Sequence, residues 1–212
     1  MSLAISPVAL ADTFSGSDLS GLAYSAGVAG DAQYVAGTPD VAQLYTADSG
    51  TSNTADSPAV FVSIADWTLS SFSASYDLFS WNVPSGTSPY WILYMTDDPT
   101  FDDPIVADGG STLNASSLVH VGDLTNGSIT LAALDSMIDP ISGLPYGSET
   151  VAWAGIEIGD WDNGDATIPA SAEFNSITVS DVSPSPEPSS LLLLGTGILG
   201  LAGTARRRFA RA

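Results

Sequence analysis

The chain has 212 residues, with 24 Asp and Glu, a single His and no Cys. It contains no Lys, and its four Arg all lie in the last seven residues, so residues 1–205 carry no basic side chain except His120. Because phosphate contacts need clustered Lys or Arg, this composition excludes nucleic-acid binding by residues 1–205. It also excludes a transition-metal site built from several His or Cys ligands.

Residues 1–11 are interpreted as the remnant of a signal peptide. They close with Ala9-Leu10-Ala11, in which Ala9 and Ala11 form the small-x-small pattern that signal peptidase cuts. The segment has no basic n-region and only a short apolar stretch, so we expect the true start codon to lie upstream. A short buried N-terminal strand is the alternative interpretation.

Residues 12–181 show the alternation of a β-domain. Apolar and polar residues alternate from Phe72 to Leu78, and then Phe79 and Trp81 take up the opposite parity. This shift predicts a bulge, or a strand end that is buried on both faces. Residues 90–95 are apolar on both faces, which is typical of a strand in the middle of a sandwich. Further strands are predicted at residues 59–64, 118–121, 151–158 and 174–180.

Together these strands predict an all-β fold, an antiparallel β-sandwich that is jelly-roll-like. The 20 Gly and 13 Pro suit many short strands joined by turns better than a helical bundle. Only residues 130–138 have helical spacing, with Thr130 as the N-cap of a short surface helix. Residues 16–53 are too weakly patterned for strands to be assigned there.

An acidic turn at residues 160–165 is the candidate metal site. Asp160, Asp162, Asn163 and Asp165 offer only oxygen ligands, which is the chemistry that calcium prefers. The spacing begins like an EF-hand loop, but the twelfth place holds Ser171 where that motif needs Glu. The Asp-rich segment 97–103 is a second candidate. Polar turns without metal are the alternative for both, because Asp side chains bond their own backbone in turns.

The five Trp and seven Tyr favour carbohydrate binding, since exposed aromatic rings stack on sugar faces. Trp161, inside the acidic turn, and Trp67 are the predicted glycan-stacking rings. Core packing is the competing interpretation for both. Trp81, Trp91 and Trp153 lie in apolar strands and are predicted to pack in the core.

No set of residues predicts catalysis, so the chain is interpreted as non-enzymatic and no catalytic residue is assigned. Glu157 is the strongest acid–base candidate, but sandwich glycosidases place another acidic residue where this chain has Gly159. We therefore interpret Glu157 as a solvated or turn-supporting carboxylate. His120 alternates with valines and is interpreted as an ordinary strand histidine. A secreted glycan-active hydrolase on the β-sandwich is the alternative.

The C-terminus has three parts. Residues 182–190 carry three Pro in five positions and are predicted to form an extended linker. Residues 191–205 carry no charge and predict a single transmembrane helix, with a buried core helix as the alternative. The tail 206–212 contains the positive-inside signal, which places the C-terminus in the cytoplasm. The residues of that signal are Arg206, Arg207, Arg208 and Arg211.

The tripeptide Pro186-Glu187-Pro188, the apolar segment and the Arg cluster together resemble the PEP-CTERM sorting signal of Gram-negative, exopolysaccharide-producing bacteria. The resemblance covers about 30 residues, from Pro184 to Ala212. It implies that an exosortase recognises the signal and cuts near Pro186, Glu187 and Pro188 after transient anchoring in the inner membrane. It implies nothing about the activity of residues 12–181.

The sequence therefore predicts an exported, exosortase-sorted protein of the cell surface or extracellular matrix that is not an enzyme. Glycan and calcium are its candidate ligands, and a protein that simply fills the matrix without a specific ligand is the alternative. Its expected partners are exosortase, the inner membrane before processing, and exopolysaccharide. The charge asymmetry fits this topology, because the acidic residues lie outside the cell and the Arg tail lies inside it.

Overall fold

A computed structural model of the protein describes residues 11–27, 30–46, 57–82, 89–96, 104–107, 110–121, 128–158 and 170–181, apart from the side chains of residues 65 and 66. This part of the chain contains thirteen strands and one short α-helix, α1 (Leu131–Leu134). The strands are β1 (Ala11–Ser15), β2 (Ala23–Ser25), β3 (Gly30–Val35), β4 (Val41–Thr46), β5 (Ala59–Thr68), β6 (Phe72–Asn82), β7 (Tyr90–Met95), β8 (Ile105–Ala107), β9 (Thr112–Leu113), β10 (Leu118–Val121), β11 (Ile129–Thr130), β12 (Thr150–Glu157) and β13 (Ala170–Asp181).

The strands form two sheets. Sheet A has the order β3-β4-β13-β6-β9, and β1 also pairs with β13. Sheet B has the order β11-β10-β8-β7-β12-β5-β2. The strand pairs in both sheets are antiparallel. The predicted all-β, antiparallel sandwich is therefore confirmed.

The hydrophobic core lies between the two sheets. Tyr76 of sheet A contacts Trp91 of sheet B, with ring centroids 5.7 Å apart. Tyr76 also meets Phe174 edge-on at 5.0 Å. Side chains on a strand alternate between faces, so Trp91, Leu93 and Met95 of β7 belong to this core. The remaining residues of β7 face the outer side of sheet B.

The predicted change of parity in β6 is a bulge. Leu78 pairs with Phe174 and Ser80 pairs with Glu173, so Phe79 is left without a partner on β13. Phe79 is 52% exposed. Trp81 pairs with the fully buried Ala172. Because Phe79 is one extra residue, Leu78 before the bulge and Trp81 after it both face the core, although they are three positions apart.

The predicted strands at 59–64, 90–95, 118–121, 151–158 and 174–180 correspond to β5, β7, β10, β12 and β13. The predicted N-cap is also confirmed, since Thr130 Oγ1 accepts a hydrogen bond from Ala133 N at 3.2 Å. The helix itself ends at Leu134, four residues earlier than predicted. Residues 16–53, where the sequence assigned no strand, contain β2, β3 and β4.

The two ends of the chain lie mostly outside the described residues. Ala11 is the first residue of β1 and pairs with Ser180, whereas Ala9 is outside the described part. The predicted linker, transmembrane helix and Arg tail at 182–212 also lie outside it. Among the residues that the structure describes, no helix is both long and apolar enough to cross a bilayer.

Candidate functional site

The outer face of sheet B is apolar near its centre. Tyr90, Ile92 and Val106 form a second buried cluster there, separate from the core between the sheets. Phe61 and Tyr94 are half-buried and pack against it. Alternation makes this placement necessary, because every second residue of an apolar strand faces away from the core.

An open depression of about 350 Å³ lies on this face and is called the aromatic depression. It is lined by Ala23, Tyr24, Ser25, Phe61, Tyr94 and Trp153. Trp153 of β12 lies directly opposite Tyr94 of β7, and the Phe61 and Tyr94 ring centroids are 6.0 Å apart. All three rings are half-buried. Register between neighbouring strands therefore brings together aromatic residues that are far apart in sequence.

Gly155 leaves the space that the Phe61 ring occupies against the outer face of sheet B. A Cβ atom on Gly155 would lie 2.4 Å from the Phe61 ring and 2.9 Å from Ile92 Cγ2. Such distances are far inside van der Waals contact, so only glycine permits this approach. The absence of a side chain at Gly155 therefore allows the Phe61 ring to pack against β12, where it lines the aromatic depression.

Glu157 lies two residues beyond Gly155 on the same face, about 6.5 Å along the strand. It is only 2% exposed, and its Oε2 atom has no hydrogen-bond partner among the residues that the structure describes. Burial raises the pKa of Glu157 to about 8, and hydrogen bonds from Ser57 and Tyr90 oppose that rise. The interpretation of Glu157 as a solvated carboxylate is wrong, because the side chain is buried beside the apolar cluster of the outer face.

Tyr90 is a hydrogen-bond partner of this carboxyl group, as is Ser57. Tyr90 pairs with Glu157 across the two strands. Burial raises the pKa of the Tyr90 hydroxyl, and the nearby negative charge of ionised Glu157 raises it further. Within the described part of the chain, the side chains that act on the Glu157 pKa are Ser57 and Tyr90, which offer hydroxyl groups and no second carboxyl group. At neutral pH, the raised pKa keeps Glu157 mainly protonated, so it can donate a hydrogen bond.

The tryptophans occupy different environments. Trp91 is buried in the core as predicted, and Trp67 is half-buried against the core with its ring 6.5 Å from Phe72. Trp81 is half-buried and also packs on the core. Trp153, expected in the core, instead lines the aromatic depression. Trp161 lies outside the described residues.

The sequence did not identify Phe61, Tyr94 and Trp153 as a group. The available signal was the apolar character of residues 90–95 on both faces, which requires apolar neighbours on the outer side as well.

The predicted calcium ligands Asp160, Asp162, Asn163 and Asp165 lie outside the described residues, as does the whole segment 97–103. Across the described ranges, no group of three or more His, Cys, Asp or Glu is arranged to hold a metal ion. His120 lies in β10 as predicted, and its Nε2 atom is 2.8 Å from Ser128 Oγ.

The fold and this site define an antiparallel β-sandwich domain with an open aromatic depression on one outer face. Residues 186–208, which follow that domain, match the model of the PEP-CTERM protein-sorting motif. Residues 186–208 therefore carry a PEP-CTERM protein-sorting motif, as the resemblance of this segment indicated. The motif is a recognition signal for exosortase processing and implies export with a membrane-anchored sorting signal. No curated protein and no solved structure matches the chain.

Proposed function

We propose that this protein is a non-enzymatic component of the cell surface or extracellular matrix that binds neutral glycan in the aromatic depression. The observation that carries the proposal is the meeting of Phe61, Tyr94 and Trp153 in one open depression. Rings in such a position can stack on the apolar faces of sugars. Cytoplasmic orientation of the C-terminus, release to the surface and association with exopolysaccharide in a biofilm are parts of the same proposal.

Charge favours a neutral glycan over an anionic one. Among the described residues, those that line the aromatic depression carry no charged side chain. Residues 1–205 contain all 24 acidic residues and no Lys or Arg, so an anionic polysaccharide would be repelled at long range. The volume of about 350 Å³ is at the lower end for ligand sites, which suits a short segment of a sugar chain.

We infer further that the sandwich is a jelly roll. Its central strands have the orders β4-β13-β6-β9 and β5-β12-β7-β8. Each sheet thus interleaves strands from both ends of the domain, as expected for two Greek keys. Lectin domains use this architecture, although the analogy concerns the fold alone.

Replacing Trp153 with alanine should weaken binding to a neutral polysaccharide about tenfold, because one stacking surface is lost. Affinity electrophoresis with a panel of neutral and acidic polysaccharides, including the host's own, measures the effect. Phe79→Ala is the matched control, since Phe79 is an exposed aromatic residue on sheet A. Equal binding by the Trp153→Ala variant and the native protein, at equal thermal stability, would remove glycan binding from this depression.

Replacing Pro186, Glu187 and Pro188 together with alanine should abolish removal of the C-terminal tail in the native host. The three residues begin the matched motif, so the exosortase would lose its recognition element. Immunoblotting with tags on both sides of the motif follows the cleavage. Pro184→Ala, which lies just outside the match, is the control and should be processed normally. Normal processing of the triple variant would refute the sorting role.

Calcium binding at Asp160, Asp162, Asn163 and Asp165 remains a second part of the proposal. The oxygen-only ligand set and the unbalanced acidic charge support it. A bound ion stabilises the folded state, so a chelator should lower the thermal midpoint in calcium-loaded protein. An unchanged midpoint would eliminate the site.

A glycan-active hydrolase is the alternative function, and one observation favours it. Glu157 is buried with a raised pKa, as a general acid in glycoside hydrolysis must be. Hydrolysis also needs a second carboxyl group, and Glu157 does not line the aromatic depression. Release of reducing ends that disappears in Glu157→Gln would establish this alternative, and its absence with all tested glycans would exclude it for them.

A further inference from the structure

A loop between α1 and β12 exposes three large aliphatic side chains. Ile138 is 59% exposed, Ile141 is 56% exposed and Leu144 is 54% exposed. These residues lie within seven consecutive positions, and residues 137–146 are called the aliphatic loop. Single exposed apolar residues are ordinary, but a group of them on one short loop marks an interaction surface.

Hydrogen bonds hold this loop in a defined shape. Asp139 N donates to Leu144 O at 2.8 Å, and Gly143 N donates to Asp139 O at 2.9 Å. The buried Asp139 side chain accepts a hydrogen bond from Ile141 N at 2.6 Å. At the base, Tyr146 N donates to Met137 O at 2.9 Å. The aliphatic side chains are therefore presented by an ordered element, which lowers the entropy cost of binding through them.

The aliphatic loop is at the end of the sandwich from which the sorting segment leaves. Directly after the loop, Glu149 O accepts a hydrogen bond from Leu69 N at 2.9 Å. Residues 69–71 form a turn that leads into Phe72, the first residue of β6. Phe72 pairs with Asp181, the last residue of β13. The aliphatic loop and Asp181, the residue that precedes the linker in sequence, therefore share one end of the domain.

The linker is too short to move this end far from a membrane. Residues 182–190 number nine and would span about 28 Å in the polyproline II conformation. The uncharged segment 191–205 follows at once and lies within the matched sorting motif. While that segment is anchored, the end of the domain with the aliphatic loop is held close to the bilayer surface.

We propose that Ile138, Ile141 and Leu144 insert into the interfacial region of the membrane that anchors the sorting segment. The contact places the domain against the bilayer and so keeps the linker near the surface where a membrane enzyme can cut it. The partner is a zwitterionic lipid surface, because a domain without Lys or Arg gains nothing from anionic headgroups. This inference rests on the proposed membrane anchor and is independent of glycan binding.

Site-specific fluorescence quenching tests the contact. The chain has no Cys, so Ile141→Cys, Phe79→Cys and Leu192→Cys each create a single labelling position. Each full-length variant receives an environment-sensitive fluorophore and is reconstituted into phosphatidylcholine vesicles that contain brominated lipid. Phe79 is the matched control, since it is similarly exposed but lies seven residues along β6 from Phe72, about 23 Å away. Leu192 reports the anchor.

We expect brominated lipid to quench the labels at positions 192 and 141 at least twofold and to leave the label at 79 unchanged. Ile138→Ser and Leu144→Ser, added to the Ile141→Cys chain, should reduce its quenching to the level at position 79. Both side chains are exposed, so an unchanged thermal midpoint will show that the fold is intact. Adding anionic phosphatidylglycerol should weaken the quenching, and stronger quenching would overturn the choice of a zwitterionic surface.

Quenching at position 192 without quenching at 141 would overturn the proposal and indicate a protein partner, such as the exosortase, for the aliphatic loop. Equal quenching at 141 and 79 would overturn it as well, because contact would not be specific to this end. Absence of quenching at both 192 and 141 would reject the anchor together with the loop contact. None of these results depends on the affinity for glycan.

Discussion

Replacing Phe174 with alanine should lower the free energy of unfolding by about 3–5 kcal/mol. Phe174 has no exposed surface and lies at the centre of sheet A, where its ring meets Tyr76 edge-on at 5.0 Å. Truncation would remove both the buried ring area and the aromatic pair, and it would leave a cavity between the sheets. Urea unfolding followed by tryptophan fluorescence measures the change.

Phe79→Ala is the matched control, because it deletes the same ring from the neighbouring strand. Phe79 sits on the bulge beside Leu78, the partner of Phe174, but is 52% exposed. We expect this variant to cost less than about 1 kcal/mol. Similar losses in both variants would contradict the position of the core and the bulge that separates the two rings.

The bulge at Phe79 could be predicted from sequence because its cause is local. The pleat requires strict alternation, so a change of parity within one run of apolar residues reveals an extra residue. The N-cap at Thr130 is local in the same sense, since its side chain bonds a backbone group three residues away. Strands β7, β10 and β12 could also be predicted from the sequence, because each combines β-branched or aromatic residues in a short apolar run.

Strands β2, β3 and β4 were not predicted because long-range pairing stabilises them. Val41, Ala42 and Leu44 of β4 are buried, but they are buried by β13, more than 120 residues later in the chain. Their own segment is rich in small and polar residues and gives only a weak periodic signal. Local propensity is a poor guide where tertiary contacts decide the conformation.

The aromatic depression was missed for a different reason. Alternation assigns residues to two faces of a strand, but it does not tell which face is covered. Trp153 and Glu157 lie on the same face of β12 as Gly155, and the sequence does not indicate whether that face is the inner or the outer one. Register across β5, β12 and β7 then decides that Phe61, Tyr94 and Trp153 meet, and register is set by the whole sheet.

Replacing Glu157 with glutamine should remove a large pH dependence of stability. The pKa of Glu157 is raised to about 8 in the folded protein from an ordinary value of 4.5. Below about pH 4.5 both states hold the proton, and between about pH 4.5 and 8 only the unfolded state releases it. The free energy of unfolding contributed by this group therefore falls as pH rises through that window, by about 1.4 kcal/mol per pH unit, and becomes constant above it.

The difference in unfolding free energy between Glu157→Gln and the native protein should rise by up to about 5 kcal/mol from pH 4.5 to pH 8.5, in favour of the variant. Urea unfolding at half-unit pH steps measures it, and the difference cancels the titration of the other acidic residues. Asp77→Asn, an exposed carboxyl on sheet A, controls for the loss of one negative charge.

A difference that stays flat across this window would mean that Glu157 ionises in the folded protein as readily as in the unfolded chain. The carboxyl would then be charged at neutral pH, and the hydrolase alternative would lose its general acid. A steep rise would keep Glu157 as a neutral hydrogen-bond donor beside Tyr90. Its burial would then lower stability at neutral pH, and such a cost at a buried acid is more typical of a functional site than of a packing residue.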